Sequence, residues 1–588
     1  MSVYVTADQS VPYPDEAPAS APKWSDRAKS LLYSPAAPFV LAGLALLLSL
    51  PSLGLGVQLD DRTYRRLFSE GRNPLDLLHE TEAALAHAKQ LGVFSWWSGS
   101  EFTIYFLRPL SALSHQLEFA LWPDAIWLMH GTNCALYALL VLIATLLYRE
   151  LSPSDPRLAG LAALMFAVNE SHAQVVGWVT SRHVMLSSLF ALLAVLLHVR
   201  SRARRSPMLL LASAVCTALA LLSGELGVIA LGYIVAYALA FESGALRSRL
   251  ISTAPHVLIG AAWLAVYAAL GCGVHDAGWY RDPIQRPFYT LLQGLVDSPL
   301  WLLSALGGDC ANLGLVMPQT LARVLAVLLL APLAWLIVPV LGSSRLARFY
   351  ALGTLLSCAV LFATVPQDRM LMVMSFGGFG WLACFFVSVG EHSSLLLRSS
   401  AAGLSFPHLV MAPLGFIPLL GGALGVDASA QALAEAVPRA GVTQAVAVNL
   451  PLELLTNAAW SIRDASTTPL HQLYAGFSEL SAERIDAKTL ELSVEDGWCT
   501  RPFERLFTTP SSLPKLGETR SAEGMRATVV EVSADGLPKR VRFQFEDGLE
   551  SASRVWLAWD GRRPVRWTPP APGKRVEVPS ASRLSLLF

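Results

Sequence analysis

The sequence predicts an α-helical polytopic membrane protein of about eleven spans with a small β-rich domain at its C-terminal end. Three observations predict it. The chain of 588 residues is 53% hydrophobic and 15% charged, and its 44 basic and 44 acidic side chains cancel. Long charge-free runs fill the first three-quarters. Residues 427–588, in contrast, hold 20 acidic and 19 basic residues, nearly half of all the charge. This composition excludes a disordered chain, a soluble enzyme of ordinary make-up and an electrostatic binder of nucleic acid.

Residues 1–35 are polar and proline-rich, and read as a disordered cytoplasmic N-terminus. The run 36–57 that follows is expected to be an uncleaved signal anchor. A helix needs about 20 apolar residues to cross hydrocarbon, because it alone satisfies its own backbone amides there. Runs that meet or approach that length follow at 125–148, 207–222, 226–241, 251–271, 324–342, 349–365, 370–390 and 401–426, with less regular segments at 158–169 and 184–199. The membrane domain is therefore assigned to 36–426, with outer loops 58–124 and 272–323.

Arginine and lysine favour the cytoplasmic side of short loops. With the N-terminus inside, the inner loops carry Lys23, Arg27 and Lys29, then Arg149 and Arg157, Arg200 to Arg205, Arg247 and Arg249, Arg345 and Arg348, and Arg398. Counting Pro287 to Leu306 as a further span would expel the last of these, so it reads as a pair of short interfacial or re-entrant helices. An odd number of spans then places 427–588 outside the cytoplasm, in the cytoplasmic membrane of a cell. Cys272 and Cys310 share one outer loop, where an oxidising compartment would allow a disulfide.

Charge near membrane depth is expensive and marks function. Here it collects on the outer side: Asp60 and Asp61 after the first span, Arg108 and Glu118 in the first outer loop, then Asn169, Glu170 and His172, Ser223 and Glu225, and Asp368 and Arg369. The stretch Pro74 to Leu91 is amphipathic through Leu75, Leu78, Leu85 and Leu91, and is read as lying on the bilayer surface, with His79 and His87 on its polar face. A carboxylate can take a proton from a hydroxyl, and an arginine can hold a phosphate through paired hydrogen bonds. A wet outer pocket at the membrane suits a substrate with a greasy tail and a phosphorylated head.

Four stretches, in order, resemble the GT-C superfamily of membrane glycosyltransferases, in particular the O-mannosyltransferase branch fused to tetratricopeptide repeats. They are Leu59-Asp60-Asp61, followed by Arg108 to Ser114 and by His130 with Asn133; His172 to Arg182 with Val175, Val176 and Trp178, then Phe190; Ser223-Gly224-Glu225-Leu226-Gly227; and Asp368-Arg369-Met370-Leu371 with Ser375 and Gly377. The chain departs from that pattern at Asn169-Glu170, Gln174 and His183, at Gly224 in place of a lysine, and after Arg369, where tyrosines are missing. The resemblance implies an inverting hexosyl transfer, mannosyl-like, from a polyprenyl-phosphate sugar to an acceptor hydroxyl on a protein or cell-envelope glycan. It makes Asp60 or Asp61 the base, assigns Arg108, Arg182 and Arg369 to the phosphate, and makes His172 and Glu225 pocket groups. No cofactor is predicted. Some members of that superfamily use a divalent metal, so a metal stays open, although Asp60, Asp61 and His172 have no ligand spacing.

In the soluble end, Gln444 to Leu450 reads as a buried strand, Leu470 to Leu480 as a helix, and Thr489 to Val494, Ala527 to Val532, Val541 to Phe545, Arg554 to Trp559 and Arg575 to Val578 as period-two strands. No 34-residue repeat is present. Trp556, Trp559 and Trp567 suit a strand core better than a sugar platform, and Cys499 has no predicted partner. Two other classes stay open: a transporter or flippase of a lipid-linked substrate, and a catalytically retired GT-C-like scaffold presenting its β domain to a partner.

Overall fold

The structure is a computed structural model and describes residues 30–74, 81–99, 101–390, 393–422, 424–463, 468–501 and 504–579. Each of the eleven apolar stretches is helical. Among the described residues five helices are long and apolar enough to cross a membrane: Ala37–Gly54, Ile126–Leu151, Val179–Arg204, Gln319–Ser343 and the broken Leu395–Ala436. The apolar helices Pro156–Val168, Pro207–Ser223, Glu225–Ala240, Ala254–Ala269 and Met374–Ser388, with Arg345–Leu361, pack among them. The chain is thus a multi-pass helical membrane protein.

The helix starts follow local chemistry. Asp155 and Ser206 cap the helices that begin at Pro156 and Pro207, accepting from Arg157 N–H and Leu209 N–H, while each proline occupies a position whose missing N–H costs nothing. Large apolar side chains such as Leu328 and Trp335 are exposed on Gln319–Ile337, as expected of a lipid-facing surface. The interior is one continuous cluster around Tyr137, Phe166, Tyr233, Tyr350 and Phe376. Pro287–Leu303 is one helix with Pro299 inside it, not two short ones; its Asp297 is buried between Arg281 and Arg323. That ion-pair triad ties the helix to the loop before it and to the helix after it.

The soluble end holds two sheets. Strands are numbered β1 Thr103–Tyr105, β2 Gly273–His275, β3 Gln444–Ala447, β4 Leu470–Gln472, β5 Leu480–Arg484, β6 Thr489–Val494, β7 Thr519–Ala522, β8 Met525–Val532, β9 Pro538–Phe545, β10 Arg554–Trp559, β11 Pro564–Arg566 and β12 Arg575–Val578. An antiparallel six-stranded sheet runs β12-β5-β6-β9-β8-β7, and a four-stranded sheet runs β11-β10-β3-β4, with β10, β3 and β4 parallel. The expected helix at Leu470 to Leu480 is instead β4 and a turn into β5. The helix lies earlier, at Leu454–Ile462, where it supplies the crossover that parallel strands β3 and β4 require. Trp556 and Trp559 are core residues, and Trp567 packs on Trp556.

This end is not closed by residues 427–588 alone. Trp96 and Trp97, from the first outer loop, sit in its core, and Trp96 Nε1 donates to the Leu473 carbonyl at 3.0 Å. The helix Glu82–Gln90 lies against it as well: Leu91 O accepts from Leu470 N, and Gly92 approaches Leu470 so closely that a Cβ there would stand 2.2 Å from its carbonyl oxygen. The amphipathic stretch therefore docks on protein rather than bilayer over its described part. Residues 75–80, including Leu75, Leu78 and His79, lie outside the described residues; His87 is exposed. Strands β1 and β2 pair the two outer loops, and Gly278 N donates to Arg505 O at 2.8 Å. Both outer loops and the β domain thus share one end of the bundle. Cys272 and Cys310 are free thiols, the first buried beside Tyr105 and Tyr267, the second donating to Gly308 O; they form no disulfide.

Candidate active site

The first span ends in a turn that must reverse the chain and present two carboxylates. Leu59 takes φ 37°, in the left-handed region, and Asp60–Ser69 follows as a helix. Two anchors hold the turn. Asp427, on the helix Leu424–Ala436, accepts Leu59 N–H at 3.2 Å and pairs with Arg62 at 2.9 Å. Asp61 accepts Gln58 N–H at 3.0 Å and Thr180 N–H at 2.8 Å, binding the turn to the segment Val179–Ser181.

These anchors separate the two aspartates. Asp61 is buried, and burial pushes its carboxyl up to about 7 against the pull of those N–H groups. Asp60 has no hydrogen-bond partner among the described residues and stays accessible although it lies deep among protein groups. Its carboxyl is pushed up by desolvation and pulled back by the guanidinium groups of Arg369 and Arg108. Tyr64, one turn further along the helix, is held up at about 12 by burial.

Three other expected residues gather here. Arg108 precedes the helix Pro109–Leu121; its guanidinium lies 4.1 Å from the Phe106 ring centroid, and its Nε stands 2.7 Å from Glu225 Oε2. Glu225 opens the short turn Glu225–Val228, beyond Gly224. Arg369 follows Asp368, whose carboxylate is fixed by Ala311 N–H and Asn312 N–H at 3.0 and 3.2 Å. Its Nε donates to Gln367 Oε1 at 2.9 Å, and its guanidinium lies 4.9 Å from the Trp178 ring centroid. The two Nη groups of Arg369 make no hydrogen bond among the described residues.

Two expected residues are placed elsewhere. Arg182 is 1% exposed and spends its donors inside the protein, on Glu118 at 2.6 Å, Asn133 Oδ1 at 2.9 Å and Met129 O at 3.1 Å. It cannot reach a ligand in the cavity without leaving Glu118 buried and unpaired. His172 is held between Tyr137 Oη at 3.3 Å and Ser375 Oγ at 3.1 Å, and burial pushes its imidazole down to about 3, so the ring is a neutral cross-link.

Arg108 and Glu225 of this cluster line a cavity of about 750 Å³, and beside it Asp60 lies within electrostatic reach of Arg108, and Arg369 within reach of Asp60. Arg108, His183, Glu225, Tyr280, Arg281, Asp282 and Thr364 supply its polar lining, and most of the rest is apolar, including Leu231 and Val235, Val257 and Leu264, and Leu356 and Val360. Those three pairs lie on Ile229–Ala240, Ala254–Ala269 and Arg345–Leu361, so the cavity runs as a groove along three apolar helices. Val257 and Leu264 are half exposed, which opens the groove sideways toward lipid.

Sequence reasoning missed His183, Tyr64, Tyr280 and Asp427. Arg182 and His183 are adjacent on a helix and therefore point about 100° apart; the first turns into the core and the second to the cavity. His183 Nδ1 donates to Thr180 O at 3.0 Å, which leaves Nε2 as an acceptor on a cavity-lining side chain. Among the described residues no three His, Cys, Asp or Glu side chains gather in a metal-holding arrangement.

No family model matches the chain, and no curated protein does. Among solved structures, it is similar to the arabinofuranosyltransferase AftD from Mycobacteria, at 15% identity and a TM-score of 0.36 over 87% of this chain. It spans 40% of the length of that AftD chain. It is also similar to ArnT from Cupriavidus metallidurans, solved bound to undecaprenyl phosphate, at 12% identity and a TM-score of 0.37 over 75% of this chain and 86% of that one.

Proposed function

We propose that the protein is a membrane glycosyltransferase of GT-C type that moves a sugar from a polyprenyl-phosphate donor to an acceptor hydroxyl, with inversion, on the outer face of the cytoplasmic membrane. The observation that carries this reading is Arg108, with Tyr280, lining the polar part of an apolar groove, with Asp60 close enough to act on both electrostatically and Arg369 close enough to act on Asp60 and Tyr280. A groove of that kind accepts an isoprenoid chain along its helices and stops the phosphate where cations begin. Asp60 is the base in this reading and Asp61 positions it.

The acceptor hydroxyl gives its proton to the Asp60 carboxylate while its oxygen bonds to the anomeric carbon. The bond from that carbon to the phosphate oxygen breaks, its electron pair leaving with the polyprenyl phosphate. Arg369, with two unengaged Nη groups, meets the growing phosphate charge; Arg108, already paired with Glu225, adds to the field. A carboxyl raised above its ordinary value is a stronger base once ionised, which suits proton abstraction near neutral pH. His183 Nε2 offers an acceptor for a donor-sugar hydroxyl.

The reading is tested by comparing glycans and lipid-linked sugars in cells carrying Asp60→Asn or Asp61→Asn. Asp60→Asn should insert normally and lose the transferred sugar. A complete glycan profile with Asp60→Asn rejects the assigned base.

A further inference from the structure

At the end of the bundle opposite Asp60, the helices Arg182–Arg204, Pro207–Ser223 and Ile229–Ala240 frame a second cavity, of about 640 Å³. Its rim is cationic and its floor apolar: Arg202, Arg205 and Glu242 stand over Leu210, Tyr237 and Phe241. Arg202 Nε lies 2.7 Å from Glu242 Oε1, so the single carboxylate in the cavity is already neutralised. Arg205 differs. It closes the helix in the left-handed conformation, φ 51°, with its N–H on Ser201 O, and its guanidinium makes no hydrogen bond or ion pair among the described residues. The Tyr237 hydroxyl likewise has no hydrogen-bond partner among them.

The cavity's surroundings restrict what can fill it. Arg204 and Arg247 are exposed at the same end, while Arg249 is engaged with the carbonyls of Gly244 and Leu239. Beside the cavity, Met208 is 78% and Leu211 64% exposed, on the apolar helix Pro207–Ser223. A free phosphate would use the guanidinium groups alone. A molecule that uses the whole surface carries an anion for the cavity and hydrocarbon for the helix beside it.

We propose that this cavity binds the phosphate headgroup of an anionic membrane lipid, with Arg205 and Arg202 on the phosphate, the Tyr237 hydroxyl hydrogen-bonded to it, and acyl chains along Met208 and Leu211. The inference does not depend on the chemistry assigned to Asp60. It is tested on the full-length protein in detergent by native mass spectrometry, with phosphatidylglycerol, phosphatidylcholine and inorganic phosphate as probes. Phosphatidylglycerol should bind, and Arg205→Gln, a change on an exposed side chain, should weaken it about tenfold. The double variant Arg202→Gln with Glu242→Gln, which strands neither charge, should weaken it as well. Unchanged phosphatidylglycerol affinity in both variants, or equal affinity for phosphatidylcholine, overturns the proposal. Displacement of the lipid by an equal concentration of inorganic phosphate assigns the cavity to free phosphate and also overturns it.

Discussion

Asp60 and Asp61 have the same side chain in opposite surroundings, and that contrast generates the sharpest predictions. Asp60→Asn should reduce transfer by about a hundredfold or more while leaving the fold intact, because it removes a base without removing a hydrogen bond. Asp61→Asn keeps one acceptor oxygen but breaks the pairing with two backbone N–H groups; protein yield and thermal stability, measured in detergent, should fall first. Desolvation raises the Asp60 carboxyl, so the base is protonated at acid pH, and the transfer rate should climb as pH rises through that raised value. A pH–rate profile without this acidic limb would remove Asp60 from the role. Arg182→Gln and Arg369→Gln should also separate. The first strands buried Glu118 and should cost about 3–5 kcal/mol of stability; the second should leave stability almost unchanged and lower transfer. The sequence marked both arginines as ligands because helix register alone does not tell a core-facing guanidinium from a cavity-facing one.

At the level of elements, the turn between the first span and Asp60–Ser69 is held by the helix Leu424–Ala436, through Asp427. The contact joins residues far apart in the chain, and no local pattern announces it. Asp427→Asn should leave the spans inserted but release Leu59 N–H and Arg62, giving slower transfer with unchanged dependence on donor concentration; a wild-type rate would show that the turn holds itself. The apolar runs were legible because a span is a local property of about 20 residues. The bounds of β6, β10 and β12 were legible to the residue, because each is a run of four to six residues rich in β-branched, aromatic or alternating apolar side chains between turn residues. Strand β4 was not. It is only three residues long and is held between β3 and the chain at Leu91, so no local run of strand-forming residues marks it. The Cys272–Cys310 pairing failed for a similar reason: shared loop membership says nothing of where two side chains finish.

For the whole molecule, the β domain and both outer loops form one end, and the arginine-rich loops form the other, where Arg200 pairs with Glu150 and Arg202 with Glu242. Single cysteines at Ser511 and Ala245, both exposed, should therefore be labelled from opposite sides of the membrane. The junction between the first outer loop and the β domain carries its own pH dependence. Burial pushes the Glu453 carboxyl up to about 8, against hydrogen bonds from Ser95 and Ser98. A raised carboxyl binds its proton more tightly when folded, so its stabilising effect is complete below the ordinary value of 4.5 and is lost as pH rises toward 8. Thermal denaturation of the junction should fall in temperature across that window, and Glu453→Gln should flatten the curve. By itself the sequence determined the apolar helical stretches, the strand-rich end and the residue types available for chemistry, because hydrophobic length and strand composition are local. Only the tertiary structure decided that Asp61 is buried on two backbone N–H groups while Asp60 stays exposed, that Arg182 is spent on Glu118 while the Nη groups of Arg369 make no hydrogen bond among the described residues, and that Trp96 and Trp97 complete the β domain. Each of those outcomes depends on which distant backbone N–H, carboxylate or ring reaches a side chain first, and the linear order of residues does not contain that.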